Sequence, residues 1–237
     1  MFEWFRNLFL LIGDKFYDNF IKDDRWTYLT NGLKTTMLIL VLAFVIGIIL
    51  GFLIAVVRST HDMDGKWGFA NWICKLYLTV IRGTPVVVQL MIIYFVIFKA
   101  VTLEKFIVGG IAFGLNSAAY VAEIFRSGIM SIDKGQMEAG RSLGFNYRQT
   151  MLKIIMPQAF KNVLPALGNE IITLFKETSV AGYIGMMDLT KGGDIIRSKT
   201  YDGFFPLIAV ALVYLVIVII MTKLLELLER RLRRSDH

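Results

Sequence analysis

A single cysteine, Cys74, is all the thiol this 237-residue chain carries. That excludes an intrachain disulfide and any multi-cysteine metal site. Histidine is almost as scarce. His61 and His237 are far apart, in loop or tail positions, and do not point to a metal centre. Charge is thin: 19% of residues are charged, against about 25% in soluble domains. There is no Gly-x-x-x-x-Gly-Lys-Ser/Thr run to cradle a nucleotide's phosphates. The pairs Gly109-Gly110 and Gly192-Gly193 lack the lysine and the strand such a loop needs. No fixed-period repeat or low-complexity segment is visible.

What the chain has is apolar length. It is 56% hydrophobic, with a mean hydropathy of +0.60. This composition predicts one integral membrane domain over residues 1–237, all helical. Met37 to Val57 is an uninterrupted apolar run, long enough to cross ~30 Å of hydrocarbon at ~1.5 Å per residue. Further spans are expected over 72–98, broken at Arg82-Gly83-Thr84-Pro85, then over 106–125, 160–184 and 204–221. The fourth of these five is unusually polar, with Asn169, Glu170, Lys176, Glu177 and Thr178. Ahead of them, Phe2, Phe5, Phe9, Ile12, Phe16 and Phe20 recur at helical steps. They make residues 1–30 an outer segment with an amphipathic helix in the interface, rather than a signal peptide.

Five spans put the termini on opposite sides. The C-terminal run Glu229-Arg230-Arg231-Leu232-Arg233-Arg234 favours the cytoplasm for that end. The N-terminus is then outside, and loops 58–71 and 126–158 are inside. The net charge of +7 reads as basic cytoplasmic loops, not as a nucleic-acid surface.

One stretch stands apart. Glu138 to Pro157 reads E-A-G-R-S-L-G-F-N-Y-R-Q-T-M-L-K-I-I-M-P. Glu138 to Leu143 can form a short helix, and Gly144 can take the left-handed turn that ends one. A second helical run follows from about Asn146 to Ile155. Pro157 either kinks it or sits in the first turn of the next helix. The product is a helix-turn-helix too polar to span a bilayer. The stretch resembles the EAA loop of ATP-binding-cassette (ABC) importer permeases, E-A-A-x-x-x-G followed after nine residues by I-x-L-P. Glu138, Ala139, Gly144, Ile154 and Pro157 match, while Gly140 replaces the second alanine and Met156 replaces leucine.

Three more runs are similar to polar amino-acid permeases of the histidine/glutamine type. They are Arg82-Gly83-Thr84-Pro85-Val86-Val87-Val88-Gln89, Ala119 to Gly128, and Leu164 to Glu170 with Lys176-Glu177-Thr178-Ser179 after it. The resemblance implies a transporter subunit of a bacterial cytoplasmic membrane, not an enzyme. ATP and Mg would be handled by a separate ATPase chain docked on Glu138, Ala139, Gly140, Gly144 and Pro157. A second permease copy, identical or similar, would complete the path. An extracytoplasmic amino-acid-binding protein would deliver the substrate.

Charges at bilayer depth face protein or water. Glu170 therefore leads as the group for a cationic side chain or an α-amino group, with Asn169 beside it. Arg82 could hold an α-carboxylate bidentately, or pair with Glu123. Gln89, Tyr120 and Lys176 are further candidates to line the cavity. Glu123 and Arg126 are spaced to pair on one helix face. A gradient-driven transporter and a non-transporting membrane scaffold fit the composition too. The first lacks visible inverted repeats of broken spans.

Overall fold

The computed structural model describes residues 10–234. Phe2, Phe5, Phe9 and His237 lie outside them. All regular structure among the described residues is helical. Residues 10–16 are helical and run through a π turn, Tyr17–Ile21, and a 3-10 turn, Lys22–Asp24, into the first long helix. The long helices are α1 Trp26–Asp64, α2 Gly68–Gly83, α3 Val86–Ile97 and α4 Lys105–Met130. After them come α5 Lys134–Ser142, α6 Tyr147–Thr150, α7 Met156–Glu177, α8 Leu189–Thr200 and α9 Phe204–Arg234.

Three helices, α1, α4 and α9, are long and apolar enough to cross a membrane. The α2–α3 pair would make a fourth, but it is bent by 109°. The single interrupted span expected over 72–98 is thus two helices. The cause is local. Pro85 cannot donate to the helix ladder, and the residue before a proline is pushed to extended backbone; Thr84 has φ −124° and ψ 148°. The polar run expected at 160–184 is helical as α7, followed by a 3-10 segment at Thr178–Ile184.

α1 extends well beyond the apolar run at 37–57. Nothing in 26–64 breaks a helix, and Gly65, at φ +70°, ends it with its N–H on the His61 carbonyl. The N-terminal extension is held by α8. A Cβ on Gly32 would lie 2.5 Å from the Asp188 carbonyl oxygen, and Thr36 accepts the Leu189 N–H at 3.1 Å.

One face of α1 is made of small buried residues: Gly32, Thr36, Ala43, Gly47, Gly51, Ala55 and Ser59. Most recur every fourth position, the spacing that lets two helices approach closely in a membrane. The partner is chiefly α4, itself largely buried. A Cβ on Gly51 would stand 2.6 Å from Val121 and 2.9 Å from the Ala118 carbonyl oxygen. Around this spine α1, α3, α4, α7 and the 178–184 turn share one core that includes Ile39, Leu90, Phe113, Leu174 and Phe175.

Candidate functional site

The α2–α3 bend is the first part of the site, and its chemistry follows from the missing proline N–H. In an unbroken helix the Ile81 carbonyl would accept from residue 85, which is Pro85. The Gln89 side chain supplies the donor instead. Its Nε2 reaches the Ile81 carbonyl at 2.7 Å and the Thr84 carbonyl at 3.0 Å. Thr84 Oγ1 donates to the Val80 carbonyl at 2.8 Å. Asn116 of α4 donates Nδ2 to Gln89 Oε1 at 3.0 Å. The buried Gln89 amide is thus spent on closing the bend and tying it to α4.

The residue after Asn116 holds Glu170. Ser117 Oγ donates to Glu170 Oε1 at 2.7 Å, with Ser117 fully buried and Glu170 9% exposed. No cation lies within ion-pair distance of Glu170 among the described residues. α4 therefore carries Gln89 and Glu170 on consecutive side chains. The Glu170 carboxylate is turned into the protein, on the face of α7 that also buries Val163, Leu167 and Leu174.

The opposite face of α7 is open and polar. Asn162, Asn169, Thr173 and Lys176 are exposed, spaced seven, four and three residues apart, which puts them on one helical stripe. Asn169 donates to the Pro165 carbonyl at 3.1 Å. Asn169 and Glu170, neighbours in sequence, thus look in different directions.

Arg82 and Tyr120 come together, with the guanidinium carbon 5.7 Å from the ring centroid. This is cation–π range. Arg82 forms no ion pair among the described residues. Glu123 instead takes Arg126, one turn on, at 2.6 Å, and Arg126 reaches Asp62 of α1 at 3.3 Å. The expected Glu123–Arg126 pairing is present, and it also fastens the end of α4 to the end of α1.

The second part of the site is the turn at 133–157. Asp133 caps α5 by accepting the Gly135 N–H at 2.7 Å. Gly144, at φ +85°, ends it. The Phe145 N–H bonds the Gly140 carbonyl and the Gly144 N–H the Arg141 carbonyl, the pairing of a Schellman cap. Asn146 and Gln149 then form a reciprocal capping box that starts α6. Glu138, Ala139, Leu143 and Gly144 are exposed. Gly140 is not. A Cβ there would lie 2.5 Å from Thr150 Cγ2 and 3.0 Å from Ile154 Cδ1. The smallness of Gly140 lets α5 fold onto its own chain at this crossing. Beneath the turn, Ile129, Ile155 and Ala159 pack with Met63, Met137, Met151 and Met156.

α6 does not stop where the next element begins. Tyr147–Thr150 passes through one π-helical stretch, Met151–Ile155, directly into α7. The Met156 N–H bonds the Met151 carbonyl, and Pro157 falls in the first turn of α7. The extra residue of the π turn sits just ahead of the proline, where a regular ladder would fail. The Asn169 stripe is therefore on one continuous rod that begins at Tyr147, directly after the exposed turn.

Residues 65–234 match the model of the family described as binding-protein-dependent transport system inner membrane component. The chain belongs to that family. It is an amino-acid ABC transporter permease of the multi-pass, inner-membrane kind. The arginine transport system permease protein ArtQ of Bacillus subtilis (strain 168) is 39% identical over 211 residues, covering 88% of this chain and 94% of that one. The L-cystine transport system permease protein TcyB of the same organism is 35% identical, covering 95% of each. A putative glutamine transport system permease protein GlnP of Rickettsia bellii (strain RML369-C) is 36% identical, covering 86% of this chain and 93% of its own. Among solved structures, one described as an amino acid ABC transporter with histidines superposes with a TM-score of 0.79 at 42% identity. It covers 86% of this permease and 94% of that chain.

Proposed function

We propose that this permease moves a polar, basic amino acid inward, as one of two permease copies flanking a shared path, driven by ATP hydrolysis on separate ATPase chains. The observation that carries the reading is the continuous rod from Tyr147 through α6 into α7, with the exposed 138–144 turn seated on its start through Gly140 against Thr150 and Ile154. A push on the turn is transmitted along the rod to the helix bearing Asn169, Glu170 and Lys176. In this reading Glu138, Ala139 and Gly144 meet the ATPase, while Gly140 and Pro157 shape the turn that presents them. Mg and ATP act on that partner chain. An extracytoplasmic binding protein delivers substrate at the opposite end.

Five crossings follow if α1, the bent α2–α3 pair, α4, α7 and α9 each span once. The polar stripe of α7 then lines water between the two copies rather than lipid. The N-terminal segment 1–30 lies outside, and 126–158 and the C-terminus lie in the cytoplasm, by the excess of arginine and lysine there.

The preference for a basic substrate rests on the charge of Glu170, which pairs with no cation among the described residues and lies just inside the stripe, so that it acts on the path through its field rather than by touching the ligand. Asn169 and Lys176 offer a hydrogen-bond donor and a positive charge to the α-carboxylate from the stripe. Arg82 and Tyr120 form a second exposed pair for the same end of the ligand. Gln89 supports the path through the bend. The relatives named for arginine, glutamine and cystine fit a polar substrate, and ArtQ fits a basic one.

The test is uptake of labelled arginine, histidine, glutamine, cystine and aspartate into proteoliposomes holding the full complex and the binding protein. ATP-dependent accumulation of the basic amino acids is the expected result. Accumulation of only a neutral or acidic one removes the specificity argument and keeps the importer. Accumulation without ATP overturns the mechanism.

A further inference from the structure

A cleft of about 450 Å³ opens between the end of α1 and the start of the α6–α7 rod. It is separate from the α7 stripe and from the α2–α3 bend. Its floor is apolar, with Phe52, Val56 and Met151 among the lining residues. Three charged side chains line it: Asp64, Lys66 and Arg148. Asp64 and Lys66 neutralise each other at 3.3 Å. Arg148 makes no ion pair among the described residues, so the lining carries one uncompensated positive charge. Ser59 also lines the cleft. It is 2% exposed, and its hydroxyl has no hydrogen-bond partner. A buried hydroxyl without a partner is costly, and this one borders the open volume.

The surroundings say what kind of molecule suits it. The exposed face of α1 is a continuous apolar line, Leu38, Val41, Val45, Ile49 and Leu53, that leads toward Phe52 and Val56. Trp67 lines the other side of the cleft, 54% exposed, where an amphipathic ring suits the headgroup level of a membrane. The side chains of Phe69 and Trp72, just after it, are exposed and stacked, with centroids 6.2 Å apart.

We propose that this cleft binds one anionic phospholipid. The phosphate meets Arg148 and the Ser59 hydroxyl, and the acyl chains lie along α1 from Val56 toward Leu38. The site rests on the reading of 58–71 and 126–158 as cytoplasmic, the side on which anionic lipid attracts basic residues. A lipid seated there touches the α6–α7 rod at its start, and so bears on the same element that the ATPase moves.

Native mass spectrometry of the delipidated full complex tests it, titrated with phosphatidylglycerol or phosphatidylcholine. Expected is one phosphatidylglycerol bound per permease copy, at about fivefold lower concentration than phosphatidylcholine, from one basic side chain near an anionic group. Arg148→Gln should abolish that preference, and Ser59→Ala should weaken binding of both lipids while keeping the preference. The double change Asp64→Asn with Lys66→Gln serves as the control, since it removes a pair that adds no net charge to the lining. Equal binding of the two lipids overturns the site. So does a preference that survives Arg148→Gln, which would be general surface attraction. A preference seen in the isolated permease but absent from the complex assigns the cleft to the ATPase instead. The mass of the intact complex reads the importer assignment separately from the lipid count.

Discussion

Gln89 donates its side-chain amide to the Ile81 carbonyl, eight residues back and across a 109° bend. The bond replaces the one that Pro85 cannot make. It gives the R-G-T-P-x-x-x-Q run a structural reason. Proline makes the break, Thr84 and Gln89 satisfy the carbonyls it strands, and Asn116 anchors the result to α4. Gln89→Leu would leave the Ile81 carbonyl and the Asn116 amide without partners in a buried place. Each such group costs roughly 1–3 kcal/mol. The expected result is a fall of several degrees in the apparent melting temperature of the purified permease, without substrate or ATPase present. Unchanged melting with a raised KM would make Gln89 a substrate contact rather than a brace.

Glu170 offers the sharper test of specificity. Glu170→Gln keeps an acceptor for Ser117 and removes only the charge. Uptake of a basic amino acid should fall about tenfold, the scale of a unit charge acting across ~10 Å at an effective dielectric of ~20, while a neutral one changes little. Ser117→Ala removes the donor and leaves the charge. It should cost about 1.5–3 kcal/mol of stability, the scale for a hydrogen bond to a charged group, and keep the preference. Equal loss for basic and neutral substrates in Glu170→Gln would reduce the residue to a structural group.

The two glycines of the turn should fail for different reasons. Nothing lies within 4 Å of a Cβ placed on Gly144, so substitution there is limited by its φ of +85°. Gly144→Ala should cost about 1–2 kcal/mol, and Gly144→Asn less, because asparagine tolerates that conformation. Gly140→Leu meets Thr150 and Ile154, and should tilt α5 off α6. Both Gly140→Leu and Gly144→Trp should insert normally and lose the ATPase on co-purification. Retention of the ATPase by Gly140→Leu would show that α5 tolerates a shift at this crossing.

How much of this was legible in the sequence depends on range. Local signals held: the apolar runs, the Gly144 stop, the Pro157 position, and the Glu123–Arg126 pair at helical spacing. What escaped were consequences of contacts between distant segments. The long extension of α1 is stabilised by α8, more than 150 residues away in the Thr36–Leu189 bond. Gly140 is small because of Thr150, which lies beyond a turn whose geometry composition does not give. Asn169 and Glu170 sit side by side in the chain. Only the packing of α7 against α4 decides that one faces out and the other in.

α8 supplies a pH test outside the apolar spans. Asp194 accepts from Lys191 Nζ at 2.8 Å and from Arg197 at 2.6 Å. Their hydrogen bonds and charges hold its carboxyl below the usual aspartate range. A carboxylate depressed in the folded state contributes stability that is fully present above its unfolded pKa and lost as pH falls through the folded one. The sign therefore predicts weakening below about pH 4, with no effect near neutrality. The pair is partly exposed, with a side-chain accessibility of 33% for Asp194, so the effect is small and fades with salt. Thermal melts from pH 3 to 7 should show a shallower acid limb in Asp194→Asn than in the parent, and the two limbs should converge in high salt. Identical acid limbs at low salt would mean that the Lys191–Asp194–Arg197 cluster contributes nothing to the stability of α8.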